Sequence, residues 1–203
     1  MTGRQIIDLA KTSQLEQLGK KNDDAAILGY LNLGMVELYK RFPLKVEEYL
    51  IELVDGQTVY TLPSDCMYLT AAYGEVEENS ERFVAVLPIN EEDDPLSINT
   101  ISWNKIQIPV SVSGAYISLI YVANPTWIDL ADIGEEVELP LQLVEAMLCY
   151  IGYMATAALG AEEPENNIHY QRFEASCKRA EVLGVTTRND VAMTERVKTR
   201  GFV

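Results

Sequence analysis

One histidine, His169, is all the imidazole in this chain of 203 residues. Histidine acting as a general base needs a partner that orients its ring. His169 lies on an amphipathic stretch with no nucleophile motif around it, so a surface or packing role is expected. A glycine-rich phosphate loop, an HExxH zinc motif, a nucleophile elbow and a CxxC pair are also missing. Catalysis therefore has no evident centre, and no cofactor is expected. Cysteine occurs three times, at Cys66, Cys149 and Cys177, far apart and odd in number. That pattern predicts reduced thiols used for packing, in a protein made in the cytosol. The first residues, MTGRQIIDLAKTSQ, lack the apolar run of a secretory signal, so export is not expected.

Basic residues are scarce where acids abound. The 16 Lys and Arg stand against 31 Asp and Glu, for a net charge of −15. Residues 1–45 hold seven bases against five acids, residues 46–171 two against twenty-two, and residues 172–203 seven against four. Sequence-independent DNA binding needs bases that displace counterions. The acidic middle would repel a phosphate backbone instead. Long apolar runs are missing too. Residues 146–161 carry no charge, but sixteen residues bounded by Glu145 and Glu162 are too few to span a bilayer. This run predicts a helix buried between neighbours, with Gly152, Ala155, Ala157 and Ala158 permitting close approach and Gly160 ending it.

The residues present are those of an ordinary folded domain, 48% hydrophobic and 23% charged. Thr2 and Gln5 form a capping-box pattern ahead of Ile6, Ile7, Leu9, Leu15 and Leu18. Ile27, Leu31, Met35, Leu38 and Phe42 then recur at helical spacing up to Pro43. Past Pro43 the period becomes two. Tyr49, Ile51 and Leu53 alternate toward Asp55-Gly56, and QTVYTLP follows, which predicts a hairpin. Further strands are predicted at 67–76, 82–89, 101–108 and 115–123. The last should be central in a sheet, because Ile117, Leu119 and Tyr121 oppose Tyr116, Ile120 and Val122. Helical spacing returns at Leu139-Pro140 and again from Pro164 to Gly184 through Ile168, Phe173, Cys177, Ala180 and Leu183, and these two helices are expected to form a hairpin.

The expected fold is α+β, an antiparallel helical bundle of two N-terminal and two C-terminal helices with an inserted small β module and an extended C-terminal arm. The helices are placed at 2–18, 23–42, 140–159 and 164–183, the β module at 46–125, and the arm at 186–203 after a domain of residues 1–185. Two acidic groups qualify as oxygen-rich sites: Glu91-Glu92-Asp93-Asp94, and Asp129, Asp132, Glu135, Glu136 and Glu138. Neither reproduces an EF-hand loop, so solvated loops are expected and no metal site is assigned. Trp103 and Trp127 lack a basic groove for stacking nucleobases and are read as core or interface residues.

Taken together, ILGYLNLGMVELYKRFP, the segment LVDGQTVYTLP with its turn and Pro63, the ELP-led run VELPLQLVEAMLCYIGYMATAALG and the helix containing HYQRFEA resemble the head-to-tail adaptor family of short-tailed phages. The resemblance implies a homo-oligomeric, dodecameric ring in the virion neck, assembled in the host cytoplasm. Its partners would be the portal protein and a tail or nozzle protein, and no membrane. DNA would pass through the ring without sequence-specific binding, sliding past an acidic wall to which Glu91, Glu92, Asp93 and Asp94 are candidates. The arm is expected to dock on the portal, steering through Arg188, Arg196, Lys198 and Arg200. It would anchor through Val191, Met193, Val197 and the terminal Gly201-Phe202-Val203. Competing readings are another neck or tail-tube subunit, an acidic DNA mimic and a metal-dependent enzyme using the acidic groups. A basic docking arm argues against the mimic, and the lack of a definable ligand set argues against the enzyme.

Overall fold

The structure, a computed structural model, describes residues 1–16, 23–75, 83–112, 115–157 and 164–185. The expected arm at 186–203, and with it every arm residue from Arg188 to Val203, lies outside the described residues, as do Leu18, Val76, Ala158 and Gly160. The described chain divides into a helical unit, drawn from Met1–Leu44 and Pro125–Thr187, and a β unit beginning at Lys45 and running to Asn124.

In the helical unit, α1 spans Gly3–Ser13 and α2 spans Asp24–Arg41. Thr2 caps α1 through the expected reciprocal box, its side chain accepting from Gln5 N–H at 3.2 Å while Gln5 Oε1 accepts from Thr2 N–H at 3.0 Å. The helix stops at Ser13, short of the expected Leu18. The Thr12 and Ser13 hydroxyls turn back onto the Leu9 carbonyl, and such side-chain competition disfavours continuation. Asp23 caps α2 by accepting from Ala26 N–H. Helix α2 ends because Phe42, preceding Pro43, is forced into extended backbone. Its buried stripe is Ile27, Leu28, Leu31, Met35 and Leu38.

The third helical segment opens as a 3-10 turn, Leu141–Leu143, and continues as α3, Val144–Ala157. The fourth opens as a separate 3-10 turn, Pro164–Asn166. Helix α4, Ile168–Val182, begins only after Asn167, whose side chain accepts from His169 and Tyr170 N–H. Pro164 therefore starts the short turn and not the α-helix. Helix α4 closes on Gly184 at φ +67, with Gly184 N–H bonding to Glu181 and Val185 N–H to Ala180, the Schellman pattern. The two helices run antiparallel, because Arg179 pairs with Glu145 at one end and Asn167 bonds to Thr156 at the other.

The β unit holds two antiparallel sheets. Strands β1 (Val46–Glu52), β3 (Cys66–Glu75), β4 (Phe83–Leu87) and β7 (Tyr116–Ala123) form one, in the order β1-β7-β3-β4. Strands β2 (Val59–Thr61), β5 (Asn99–Ser102) and β6 (Lys105–Gln107) form the other, in the order β2-β6-β5. As predicted, β7 is central and buried on both faces. Ile117, Leu119 and Tyr121 join a core with Ile51, Tyr60, Leu62, Leu87, Ile98 and Ile106 drawn from both sheets.

Two local expectations are corrected. The Asp55-Gly56 turn forms, with Gly56 at φ +78 and Gln57 N–H bonding to Val54, but β1 pairs with β7 and β2 with β6. Of the described non-glycine residues only Asn90 has positive φ, so Asp55 does not adopt the left-handed conformation of a type I′ hairpin. A turn lacking that geometry splays its strands, and here it sends them into different sheets. The predicted strand 101–108 is a hairpin, β5 to β6, reversing at Trp103-Asn104.

Candidate functional site

The long connection from Pro125 to Leu139 is pinned at several points to the helical unit. Asn32, buried in the apolar stripe of α2, donates to the Ile128 carbonyl at 2.9 Å and accepts from Ile128 N–H at 3.0 Å. Further on, Arg4 N–H bonds to the Ile133 carbonyl, Gly3 N–H to Glu135, and Val137 N–H to the Met1 carbonyl. Tyr39 donates its hydroxyl to the Glu138 carbonyl at 2.9 Å, and burial, with Glu138 next in effect, pushes the phenol up to about 12. Each contact satisfies a polar group that would otherwise be costly to bury.

Between this loop and α2 lies a cleft of about 310 Å³, lined by Met35, Trp127, Ile128 and Val137 and by the acids Asp132, Glu135, Glu136 and Glu138. Four of the five acids of the second group thus line one cleft, and Asp129 is not among its lining residues. Trp127 stands 59% exposed there, so it is a surface residue and not core. Sequence reasoning missed Asn32 and Tyr39. The available signal was a lone Asn inside the apolar run of α2.

The first acidic group sits in the loop between β4 and β5. Asp94 accepts from Leu96 N–H at 2.8 Å, Ser97 Oγ accepts from Glu91 N–H at 2.8 Å, and Asn90, at φ +55, accepts from Thr100 N–H at 2.7 Å. Glu91, Glu92 and Asp93 are exposed, whereas Asp94 is half-buried and serves the turn. Trp103, at the tip of the β5–β6 hairpin, is 76% exposed and likewise not core.

The helical hairpin holds His169, Cys149 and Cys177, and Cys66 lies in β3. A Cβ on Gly152 would lie 2.7 Å from the His169 ring, so the glycine is what lets α3 and α4 approach there. His169 Nδ1 faces Gln14 Oε1 at 3.1 Å, and burial, then the nearby Arg172 charge, lowers its pKa. Tyr150 and Phe173 meet edge-on at 5.3 Å, and the Tyr153 and Tyr170 rings lie tilted at 5.1 Å. Cys66 and Cys177 are each pushed up to about 11 by burial, and Cys149 is raised by the same cause. Protonated, buried thiols are packing groups and weak nucleophiles. Among the described residues no three His, Cys, Asp or Glu side chains gather as a metal site, and no helix is long and apolar enough to cross a membrane.

Exposed tryptophans and carboxylates are thus carried on loops of both compact units. Residues 1–197 match the family model described as SU10 adaptor protein, so the chain belongs to the SU10 adaptor protein family. It is a head-to-tail adaptor, a structural component of a phage-like particle. Among solved structures it is similar to the neck of an empty GTA particle computed with C6 symmetry. The identity there is 15% and the TM-score 0.32, over 87% of this chain and 88% of that one. Comparison with curated proteins returns no match.

Proposed function

We propose that the protein assembles as a dodecameric ring on the portal, extends the DNA channel and offers the surface on which the tail or nozzle docks. The observation that carries this reading is the family match across residues 1–197, which takes in nearly the whole chain, including most of the basic C-terminal segment. The helices would stand side by side around the ring, and the protein would carry out no catalysis. Genome would pass through without sequence-specific contact, because carboxylates repel phosphate and offer no counterion release. Glu91, Glu92 and Asp93 are exposed on their loop, as channel-lining acids need to be, while Asp94 is half-buried and accepts from Leu96 N–H.

Residues 186–203 act as the portal-docking arm. Arg188, Arg196, Lys198 and Arg200 give it a charge opposite to that of the rest of the chain, which suits electrostatic steering. Val191, Met193, Val197, Phe202 and Val203, with Gly201 allowing close backbone approach, supply the apolar anchor. Assembly takes place in the host cytoplasm, and the isolated protein is monomeric or weakly associated until the portal templates the ring. The test is deletion of residues 186–203. Circular dichroism and melting of the remaining domain should stay within about 0.5 kcal/mol of the full chain, while co-purification with the portal is lost. Undiminished portal affinity in the truncated protein would move the interface to the helical body.

A further inference from the structure

Helix α4 packs on α3 through its buried residues Phe173, Ser176, Cys177 and Ala180. Away from that side, Ile168, Arg172, Ala175, Arg179 and Val182 recur at steps of four and three, so they share one stripe of the helix, and all five are exposed. Lys178 stands exposed beside them. Ile168 and Val182 are 54% and 87% exposed, so the stripe combines bases with large apolar side chains that water does not favour. Its acids are engaged elsewhere: Glu181 reaches Arg41, and Glu174 is held by the same guanidinium.

The cleft beside Trp127 has the complementary character. Its lining joins the apolar Met35, Trp127, Ile128 and Val137 to exposed carboxylates, and no Lys or Arg is among its described lining residues. The hydrogen bonds of Asn32 and Tyr39 hold the loop that forms it, and a surface ordered in advance loses less entropy on binding. Both surfaces belong to the helical unit. They are built from different elements, the stripe from α4 and the cleft from α2 and the loop after Pro125. Joining one to the other therefore takes two copies arranged head to tail, the relation that closes identical subunits into rings.

We propose that neighbouring copies in the ring meet at these two surfaces, the outer stripe of α4 on one copy lying against the Trp127 cleft of the next. Arg172 and Lys178 face the carboxylates of Asp132, Glu135 and Glu136, and an apolar side chain of the stripe, Ile168 or Val182, covers Trp127. Complementary charge fixes the direction of the contact and disfavours stripe against stripe or cleft against cleft. Exposed ion pairs each contribute little. The contact therefore holds where the portal sets copies side by side and not between dilute free subunits. The inference rests on the ring reading above and names the surfaces that such a ring joins.

The test titrates full-length protein onto purified portal and scores ring-bearing portals by electron microscopy. Two variants each reverse one surface: Glu135→Lys with Glu136→Lys in the cleft, and Arg172→Glu with Lys178→Glu on the stripe. Arg179 is kept because it pairs with Glu145 in its own chain. Either variant alone should need at least about tenfold more protein to half-fill the portals, because like charges then meet at every junction. The deficit should shrink as salt is added. An equal mixture of the two variants should return to within about threefold of the unaltered protein, since each junction of an alternating ring again joins unlike charges. Misfolded variants would give no such rescue. Rings formed by each variant as readily as by the unaltered protein would overturn this contact and leave the ring reading standing. A mixture that fails to recover would also overturn it, by assigning these charges to a different partner. No ring from the unaltered protein would overturn both.

Discussion

The two units use their acids differently. The helical unit carries sixteen carboxylates and nine bases, and several of the acids hold it together: Asp24 pairs with Arg4 and Lys11, Glu174 and Glu181 with Arg41, and Glu145 with Arg179. The β unit, from Lys45 to Asn124, carries thirteen carboxylates and three bases, so acid outnumbers base there far more than in the helical unit. Its cohesion comes from the apolar core around β7. Within the β unit Glu47 meets Lys45 and the Tyr121 hydroxyl and Asp94 serves its turn, whereas Glu91, Glu92 and Asp93 stand exposed. The exposed acids suit the DNA channel proposed above, and the paired ones suit a scaffold that must not deform.

That contrast breaks most sharply at the β core. Leu119, fully buried in β7, should cost about 3 kcal/mol on replacement by Ala, through lost transfer energy and the cavity left behind. Urea unfolding of Leu119→Ala checks it. A cost under about 1 kcal/mol would mean that the β unit does not depend on this core.

An intermediate effect is expected at Arg41. Its guanidinium holds Glu174 through two bonds, at 3.0 and 2.7 Å, reaches Glu181 at 3.3 Å and lies 5.9 Å from the Phe173 ring centre. The Arg41 and Glu174 side chains are 29% and 31% exposed, so screening limits the loss in Arg41→Met to about 1–2 kcal/mol. The Arg41 bond pulls the pKa of Glu174 down, and Lys11 followed by Arg4 does the same for Asp24. Groups depressed in the fold contribute stability above their unfolded values and lose it as pH falls through the folded ones. Helix content at 222 nm should therefore fall below about pH 4, and less steeply in Arg41→Met, which has already lost the Glu174 contribution.

The smallest effect on stability belongs to the exposed acids of the β unit. Combined Glu91→Lys, Glu92→Lys and Asp93→Lys should leave unfolding within about 0.5 kcal/mol, while slowing genome ejection from particles, most at low salt. Unchanged ejection at every salt concentration would place this loop away from the channel.

Much of this division was legible in the sequence. The cap at Thr2, the break at Pro43 and the stop at Gly184 act through neighbouring residues, and all three operate in the structure. The central place of β7 was readable because alternation exposed two apolar faces. What failed depended on partners distant in sequence. Asp55-Gly56 makes its local turn, but nothing local says that β1 will choose β7 and β2 will choose β6. The reversal at Trp103-Asn104 contains neither Gly nor Pro. The cleft depended on Asn32 meeting Ile128, 96 residues away, a pairing that helical periodicity around Asn32 does not encode.

The central claim, an adaptor built on the portal, is tested most directly by electron microscopy of purified portal incubated with this protein. The account predicts a ring of twelve copies added to the tail-facing side of the portal, with the helices arranged side by side around the channel. Bare portals at saturating protein, or copies scattered without rotational order, would contradict it.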